Sequence, residues 1–347
     1  MTSASIRPDG FPTIAAVIIN YNYASYVANA IDSVLNQEPA FDEIIVIDDG
    51  STDDSLEVIQ PYTDRLKLIT KPNGGQMTAS IVGINEASSE YIYILDADDF
   101  VLEGFVSNVL PVIASLPVKA QFQLIGVDKD KCPLGSVFPA YPTGYDDAAM
   151  REDNRTVGFY TTPPTSGNVY RRDTLVALDL TILPGNDPID GAPNLAMPYL
   201  GKVVSTNVPV ACYRVHGSNA WGKFASPDCA RLEWEIEWLH QNWRAVCRLV
   251  GLSSPPFGND EPLAIRQLRL MNAALGDGRD LAALCLRYLS RLPKSHVKRS
   301  HKLALSVWAS ALLIPAKHLR KQLVFARRSP VNRPRLLQRV VRMLQFS

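Results

Sequence analysis

Ile94-Leu95-Asp96-Ala97-Asp98-Asp99-Phe100 closes an apolar run that opens at Tyr91, so three carboxylates stand directly after a segment with the pattern of a buried strand. Carboxylates crowded at a strand end repel one another, and a hard divalent cation with oxygen ligands would supply the missing counter-charge. In an open α/β sheet the carboxyl ends of the strands are also where ligands bind. Taken alone the stretch fits a solvated acidic turn as well, since short acidic motifs recur by accident.

Two upstream segments repeat the theme. Glu43-Ile44-Ile45-Val46-Ile47-Asp48-Asp49 is a β-branched strand that again ends in carboxylates, followed by Gly50 for a tight turn and by Ser51 or Thr52 as the expected helix N-cap. Before it, Ile14–Ile19 reads as a first strand, and Asn20-Tyr21-Asn22-Tyr23 leads into a helix pattern from Tyr26 to Leu35. Three strands ending in polar groups at one edge give the layout of a nucleotide-binding half-sheet. No G-x-G-x-x-G follows the first strand, which argues against a dehydrogenase.

Downstream, Leu66–Thr70 reads as a strand, Leu102–Leu116 as a helix and Gln121–Val127 as a strand. Residues 128–166 are rich in Pro, Gly and Asp and are expected to form loops and short strands over the site. Gly167–Arg172 begins a strand-to-helix step, with Asp173 the expected cap of Thr174–Leu178.

The 347 residues suit one larger domain, 1–226, and a smaller helical one, 227–347. The five cysteines are scattered without C-x-x-C spacing, which fits small buried residues in a reducing compartment and no zinc site. Residues 1–12 carry no signal-peptide pattern. The expected location is the cytoplasm, peripheral at the inner face of the cell membrane.

A net charge of zero hides an asymmetry. Residues 227–347 hold 21 Lys plus Arg against 8 Asp plus Glu, a charge of +13, balanced by −13 in the first 226. No acidic residue follows Asp280. The apolar run Leu303–Pro315 is shorter than the roughly 20 residues a bilayer span needs. It reads as helix for an anionic membrane surface, with packing inside the protein as the other reading. Stacking aromatics are sparse, which argues against nucleic acid.

Five motifs in this order resemble the family 2 inverting glycosyltransferases of the GT-A fold: Val17–Asn22, Ile47–Ser51, Asn73-Gly74-Gly75-Gln76 with Gly83, Asp96–Asp99, and Tyr213–Asn219. The resemblance covers about residues 12–222. It implies an α/β GT-A domain binding a nucleotide-diphosphate-sugar on a mixed, mainly parallel sheet, followed by a helical, basic C-terminal region. The implied reaction is metal-dependent transfer of a sugar, from a nucleoside-diphosphate sugar with UDP favoured, to a hydroxyl of a polysaccharide, lipopolysaccharide or lipid-linked acceptor.

The same resemblance distributes roles. Asp98 and Asp99 are the candidates for Mn²⁺ or Mg²⁺, His216 stands near the diphosphate or the metal, and Asp96 holds donor hydroxyls. Asp49 accepts from a uracil ring and Tyr21 lies against it, with Asn20, Asn73, Gly74 and Gln76 on the donor side. Ser80 departs from the Arg that many members carry, leaving the phosphates to Lys71, the metal, Arg214 or His216. The base that removes the acceptor proton is Asp190, eleven residues before Gly201, with Asp187 as the second candidate. Two other classes compete: a catalytically silent nucleotide-binding module recruited to membrane-bound synthesis machinery, and a metal-dependent phosphohydrolase, for which Asn20-Tyr21-Asn22 offers no nucleophilic Asp.

Overall fold

A computed structural model describes residue 7 and residues 9–217, 228–295 and 299–328. Ser218 and Asn219 of the last motif, and residues 329–347 of the basic tail, lie outside the described residues. The chain divides into two compact units: Met1–Met150 with Thr161–Val215 and Ala245–Leu252, and Arg151–Tyr160 with His216–Arg244 and Ser253–Ser347.

In chain order the elements are β1 (Ile14–Asn20), α1 (Ala24–Leu35), β2 (Glu43–Asp48), α2 (Ser55–Ile59), β3 (Lys67–Thr70), α3 (Gln76–Glu86), β4 (Tyr91–Asp96), β5 (Phe100–Val101) and α4 (Phe105–Ile113). There follow β6 (Lys119–Asp128), β7 (Pro133–Phe138), α5 (Asp147–Thr156), β8 (Asn168–Arg171), α6 (Arg172–Ala177), α7 (Ala192–Leu200) and β9 (Val203–Val215). The helices α8 (Cys229–Val250), α9 (Leu263–Leu275), α10 (Leu281–Arg291), α11 (Arg299–Ala311) and α12 (Lys317–Arg328) complete the described chain.

The strands form one mixed sheet in the order β3-β2-β1-β4-β8-β6-β9-β5, with β7 added on β6. From β3 to β4 the pairing is parallel; β8 runs antiparallel to both neighbours, and β6 with β9 is parallel again. Strands buried on both faces read as unbroken apolar runs, and every residue of β1 is buried. In β4 the tyrosines bury their rings and still satisfy their hydroxyls. Tyr91 donates to Pro117 O at 2.8 Å and Tyr93 to Ser166 O at 2.9 Å.

Register aligns the functional ends. Asn20 stands opposite Asp48 across β1 and β2, and Ile19 opposite Asp96 across β1 and β4. The polar residues that close these three strands therefore meet at one edge.

Three local expectations are corrected. Residues 147–156 form a helix, α5, whose buried residues include Asp153, Asn154 and Thr156 as well as Met150, so hydrophobic periodicity does not report it. Neither Ser51 nor Thr52 caps a helix: α2 begins at Ser55, and Asp53 receives the Ser55 amide at 3.1 Å. Asp173 lies inside the first turn of α6, which starts directly at the end of β8, and pairs with Arg171 at 2.9 Å.

The helical unit has its own core, including Leu232, Leu268, Met271, Tyr288, Trp308 and Val324. Trp308 of α11 stacks edge-on against Tyr288 and donates its indole N–H to Leu323 O at 3.0 Å. Leu303 and Val307 on the same helix are 60% and 63% exposed. One side of α11 thus packs within its unit while another carries large apolar groups in solvent. Among the described residues no helix is long and apolar enough to cross a membrane.

Candidate active site

At the end of β1, buried Asn20 donates its side-chain amide to Asp48 Oδ1 at 2.8 Å and to Ser51 Oγ at 3.1 Å. Its own Oδ1 is buried without a hydrogen-bond partner among the described residues. Asp48 also receives the Ser51 amide and hydroxyl, at 3.0 and 2.6 Å, and so fixes the turn after β2. Asp49, equally buried, faces the next loop: it pairs with Lys71 and receives the amides of Gly74 at 3.0 Å and Gly75 at 2.8 Å.

The two glycines also lie against protein. A Cβ on Gly75, whose φ is +89°, would stand 2.5 Å from Gly185 O, and one on Gly74 would stand 2.6 Å from Thr78 Oγ1. The Met77 amide donates to Gly185 O at 2.8 Å, joining the start of α3 to the loop that leads to Asp187 and Asp190. Gln76 donates to Asp96 Oδ1 at 2.6 Å. Ser80 is fully buried on α3 and returns its hydroxyl to Gln76 O.

Around the acidic stretch, one loop does most of the holding. Ser166 donates to Asp99 Oδ2 at 2.7 Å, and the Thr165 side chain acts to lower the Asp96 carboxyl. Asn168 donates to the carbonyls of Pro163 and Pro164, at 3.2 and 2.8 Å, and rigidifies that loop. The second oxygen of Asp99 receives the backbone amide of Arg214 at 2.8 Å. The Arg214 guanidinium is buried against the rings of Tyr26 and Phe100 and donates to Asp98 O, Lys129 O and Asn29 Oδ1. Asp98 bonds the Tyr23 hydroxyl.

Electrostatics in this cluster run one way. Burial, then Asp98, then Asp190 hold the Asp96 carboxyl well above the usual carboxylate range. Burial, then Asp98 and Asp96, do the same to Asp99. Two buried carboxyls raised by a neighbouring carboxylate, with oxygen donors alone, suit a hard divalent cation. Among the described residues no three His, Cys, Asp or Glu side chains converge as a closed metal site. An ion that shares its shell with a diphosphate needs only one or two carboxylates from the protein.

Asp190 precedes α7, whose N-cap is Gly191 and has no side-chain cap bond. Its carboxyl, raised to about 6 mainly by burial, is eased down by Lys119 and by the Thr165 amide. Its charge adds to the burial and the Asp98 charge that raise Asp96. Asp187 sits in the turn closed by its amide on Pro184 O, and partial burial alone raises its carboxyl.

Of the other expected residues, Tyr21 is 43% exposed beyond β1 and Asn73 is exposed. His216, half-buried, falls in the second unit just past β9. Sequence reasoning missed Lys119, Thr165 and Ser166. The last two stand in a stretch marked only by Thr162-Pro163-Pro164, and Lys119 is a lone charge at the start of a strand.

The family model described as glycosyl transferase family 2 matches residues 15–173. An uncharacterized glycosyltransferase of Nostoc sp. is 33% identical over 225 residues, 59% of this chain and 66% of that protein. Other curated relatives are matched over as little as 10% of their length. Among solved structures, S. aureus TarS 1–349 in complex with UDP-GlcNAc superposes with a TM-score of 0.51 at 13% identity, over 91% of each chain. The mannosyltransferase PcManGT of Pyrobaculum calidifontis, in complex with GDP-Man and Mn²⁺, gives 0.50 at 16% identity, over 95% of this chain and 89% of that one. At these identities the likeness is one of fold.

Proposed function

The chain belongs to glycosyl transferase family 2 through residues 15–173, and from that premise we propose that it moves a sugar, with inversion, from a nucleoside-diphosphate sugar to a hydroxyl of a glycan or lipid-linked acceptor. The observation that carries this reading is the cluster itself. Burial raises the Asp190 carboxyl to about 6, and its charge contributes to the field on Asp96, which closes β4.

In this reading Asp190 takes the acceptor hydroxyl's proton as the new bond forms, since a base works best when its pKa lies near the working pH. Asp96, held by Gln76, orients donor hydroxyls. Asn20, Tyr21, Asp49, Asn73 and Gly74 form the nucleotide side, where a uracil N3–H would share Asp49 with Lys71 and two backbone amides. Asp98 and Asp99 would hold Mn²⁺ or Mg²⁺, and Asp99 is fixed by Ser166 and Arg214. His216 joins them on sequence resemblance. When bound, the ion neutralises charge developing on the leaving diphosphate. The Mn²⁺ in the PcManGT complex supports this assignment.

Release of nucleoside diphosphate from UDP-, GDP- and dTDP-sugars in the presence of Mn²⁺ tests the reading. We expect turnover with one nucleotide series, UDP first. Binding without any release would favour the silent nucleotide-binding module.

The basic helices fit a peripheral place at the inner face of the cell membrane. Leu303 and Val307 are exposed on α11, in a region with no acidic residue after Asp280. Each Lys or Arg near an anionic bilayer contributes about 1 kcal/mol, screened by salt. Vesicles containing phosphatidylglycerol should therefore bind the protein and release it as NaCl rises. Leu303→Asp with Val307→Asp should weaken that binding at least about tenfold, given roughly 1.5–3 kcal/mol for each apolar side chain buried. Equal binding to neutral vesicles, or no effect of the two substitutions, would contradict it.

A further inference from the structure

Arg214 belongs to a motif from which the resemblance expects a phosphate partner, yet it is 2% exposed. An arginine buried that far needs its charge and its donors met by protein. Nε donates to Asp98 O at 2.6 Å, Nη1 to Lys129 O at 3.1 Å and Nη2 to Asn29 Oδ1 at 2.6 Å. The planar cation also lies 4.8 Å from the centre of the Tyr26 ring and 5.3 Å from that of Phe100. Every nitrogen of the fork is engaged inside the protein, and its acceptors come from the turn after β4, the turn between β6 and β7, and α1.

The grip on the acidic turn is twofold. Asp96–Asp99 is closed on itself by the Asp99 amide, which donates to Asp96 O at 3.0 Å. Arg214 then holds the turn at two consecutive residues. Its side chain takes the Asp98 carbonyl, and its backbone amide, placed by the pairing of β9 with β6, donates to Asp99 Oδ1 at 2.8 Å. Backbone held on either side of the Asp98–Asp99 peptide fixes where both carboxylates begin. A lysine could supply the charge, but one ammonium on a flexible stem does not reproduce a planar fork that meets three acceptors at once.

We propose that Arg214 is a positioning residue: it holds the Asp98–Asp99 turn in the shape that receives a divalent cation and does not itself touch the donor's diphosphate. The functional meaning rests on that turn binding the ion; the strut from β9 to the turn stands without it. A phosphate contact would need a guanidinium edge open to the ligand, and a side chain buried to this degree presents none.

Arg214→Lys and Arg214→Gln in the full chain separate the two roles. In hydrogen exchange followed by mass spectrometry, without ligand, the peptide over residues 94–101 should exchange at least about tenfold faster in both variants, with peptides from β1 and β2 unchanged. In calorimetric titration with UDP, the affinity gained from Mn²⁺ should shrink in both variants from about tenfold to within about twofold, while metal-free UDP binds within about twofold of wild type. A phosphate contact predicts the reverse: an unchanged turn, metal-free UDP bound about tenfold more weakly by Arg214→Gln, and affinity restored by lysine, which binds phosphate as a point charge. That pattern would overturn the proposal. Asn29→Ala, which removes one acceptor of the fork, replaces Arg214→Gln if the latter does not fold. A wild type that binds no UDP with Mn²⁺, beside variants with a loosened turn, would sink the metal-diphosphate reading and leave the strut established. Variants that keep the full Mn²⁺ gain of the wild type would sink the role of Arg214 alone.

Discussion

Asp190→Asn is expected to lower kcat by about 10²- to 10⁴-fold, the range a positioned general base contributes, while nucleoside-diphosphate binding stays as in the wild type. The amide keeps the shape of the carboxylate and can still receive the Thr165 amide, but it cannot take a proton. In the wild type the rate should rise with pH through about 6, because only ionised Asp190 is competent. Stability should move the opposite way. A carboxyl whose folded-state pKa is raised favours the native state when protonated, and that contribution is lost as pH rises through about 6. Asp190→Asn carries no charge at any pH, so it should melt above the wild type at pH 8 and lose this advantage near pH 4. An Asn variant that turns over normally would move the base elsewhere, with Asp187 the next residue to replace.

Asp98→Ala should remove metal-dependent turnover, a loss of about 10²-fold or more if the ion supplies several kcal/mol to the departing diphosphate. The same substitution should stabilise the metal-free protein at neutral pH. Asp98 is the leading charge that raises both Asp96 and Asp99. Groups with raised folded pKa values stabilise the native state at low pH and lose that contribution as pH rises. Removing their strongest repulsion makes the loss smaller, so the variant should gain melting temperature at pH 7 and little at pH 3. Mn²⁺ should raise the melting temperature of the wild type and leave that of Asp98→Ala unchanged. Unaltered turnover would remove Asp98 from the ion's shell.

The half-sheet was legible because its strands are buried on both faces and end together in polar residues. Ile14–Ile19, Glu43–Asp48 and Tyr91–Leu95 announce themselves as apolar runs, and their registers bring Asn20, Asp48 and Asp96 to one edge. Asp98 and Asp99 came with that pattern. Asp190 was reachable only through the spacing shared with a family, because nothing local to Pro188-Ile189-Asp190-Gly191 marks a base.

What stayed hidden depends on contacts between residues far apart in the chain. Lys119 meets Thr162, and Ser166 meets Asp99 across 67 positions. The Asn73-Gly74-Gly75 turn reads as room for a donor, yet Gly75 also makes room for Gly185 and both amides serve Asp49. Helix α5 escaped because its inner face is polar. Arg214, an expected phosphate partner, is committed to backbone carbonyls and Asn29, an arrangement that composition cannot show.

The central claim is that the carboxylates closing β4 form a metal-assisted nucleoside-diphosphate site, and calorimetric titration of the protein with UDP, GDP and dTDP, each with and without Mn²⁺, tests it most directly. Binding of one diphosphate, UDP first, that strengthens at least about tenfold when Mn²⁺ is present is the predicted result. Absence of binding by all three, with and without the metal, would contradict the claim and leave the acidic cluster a structural feature of the sheet edge.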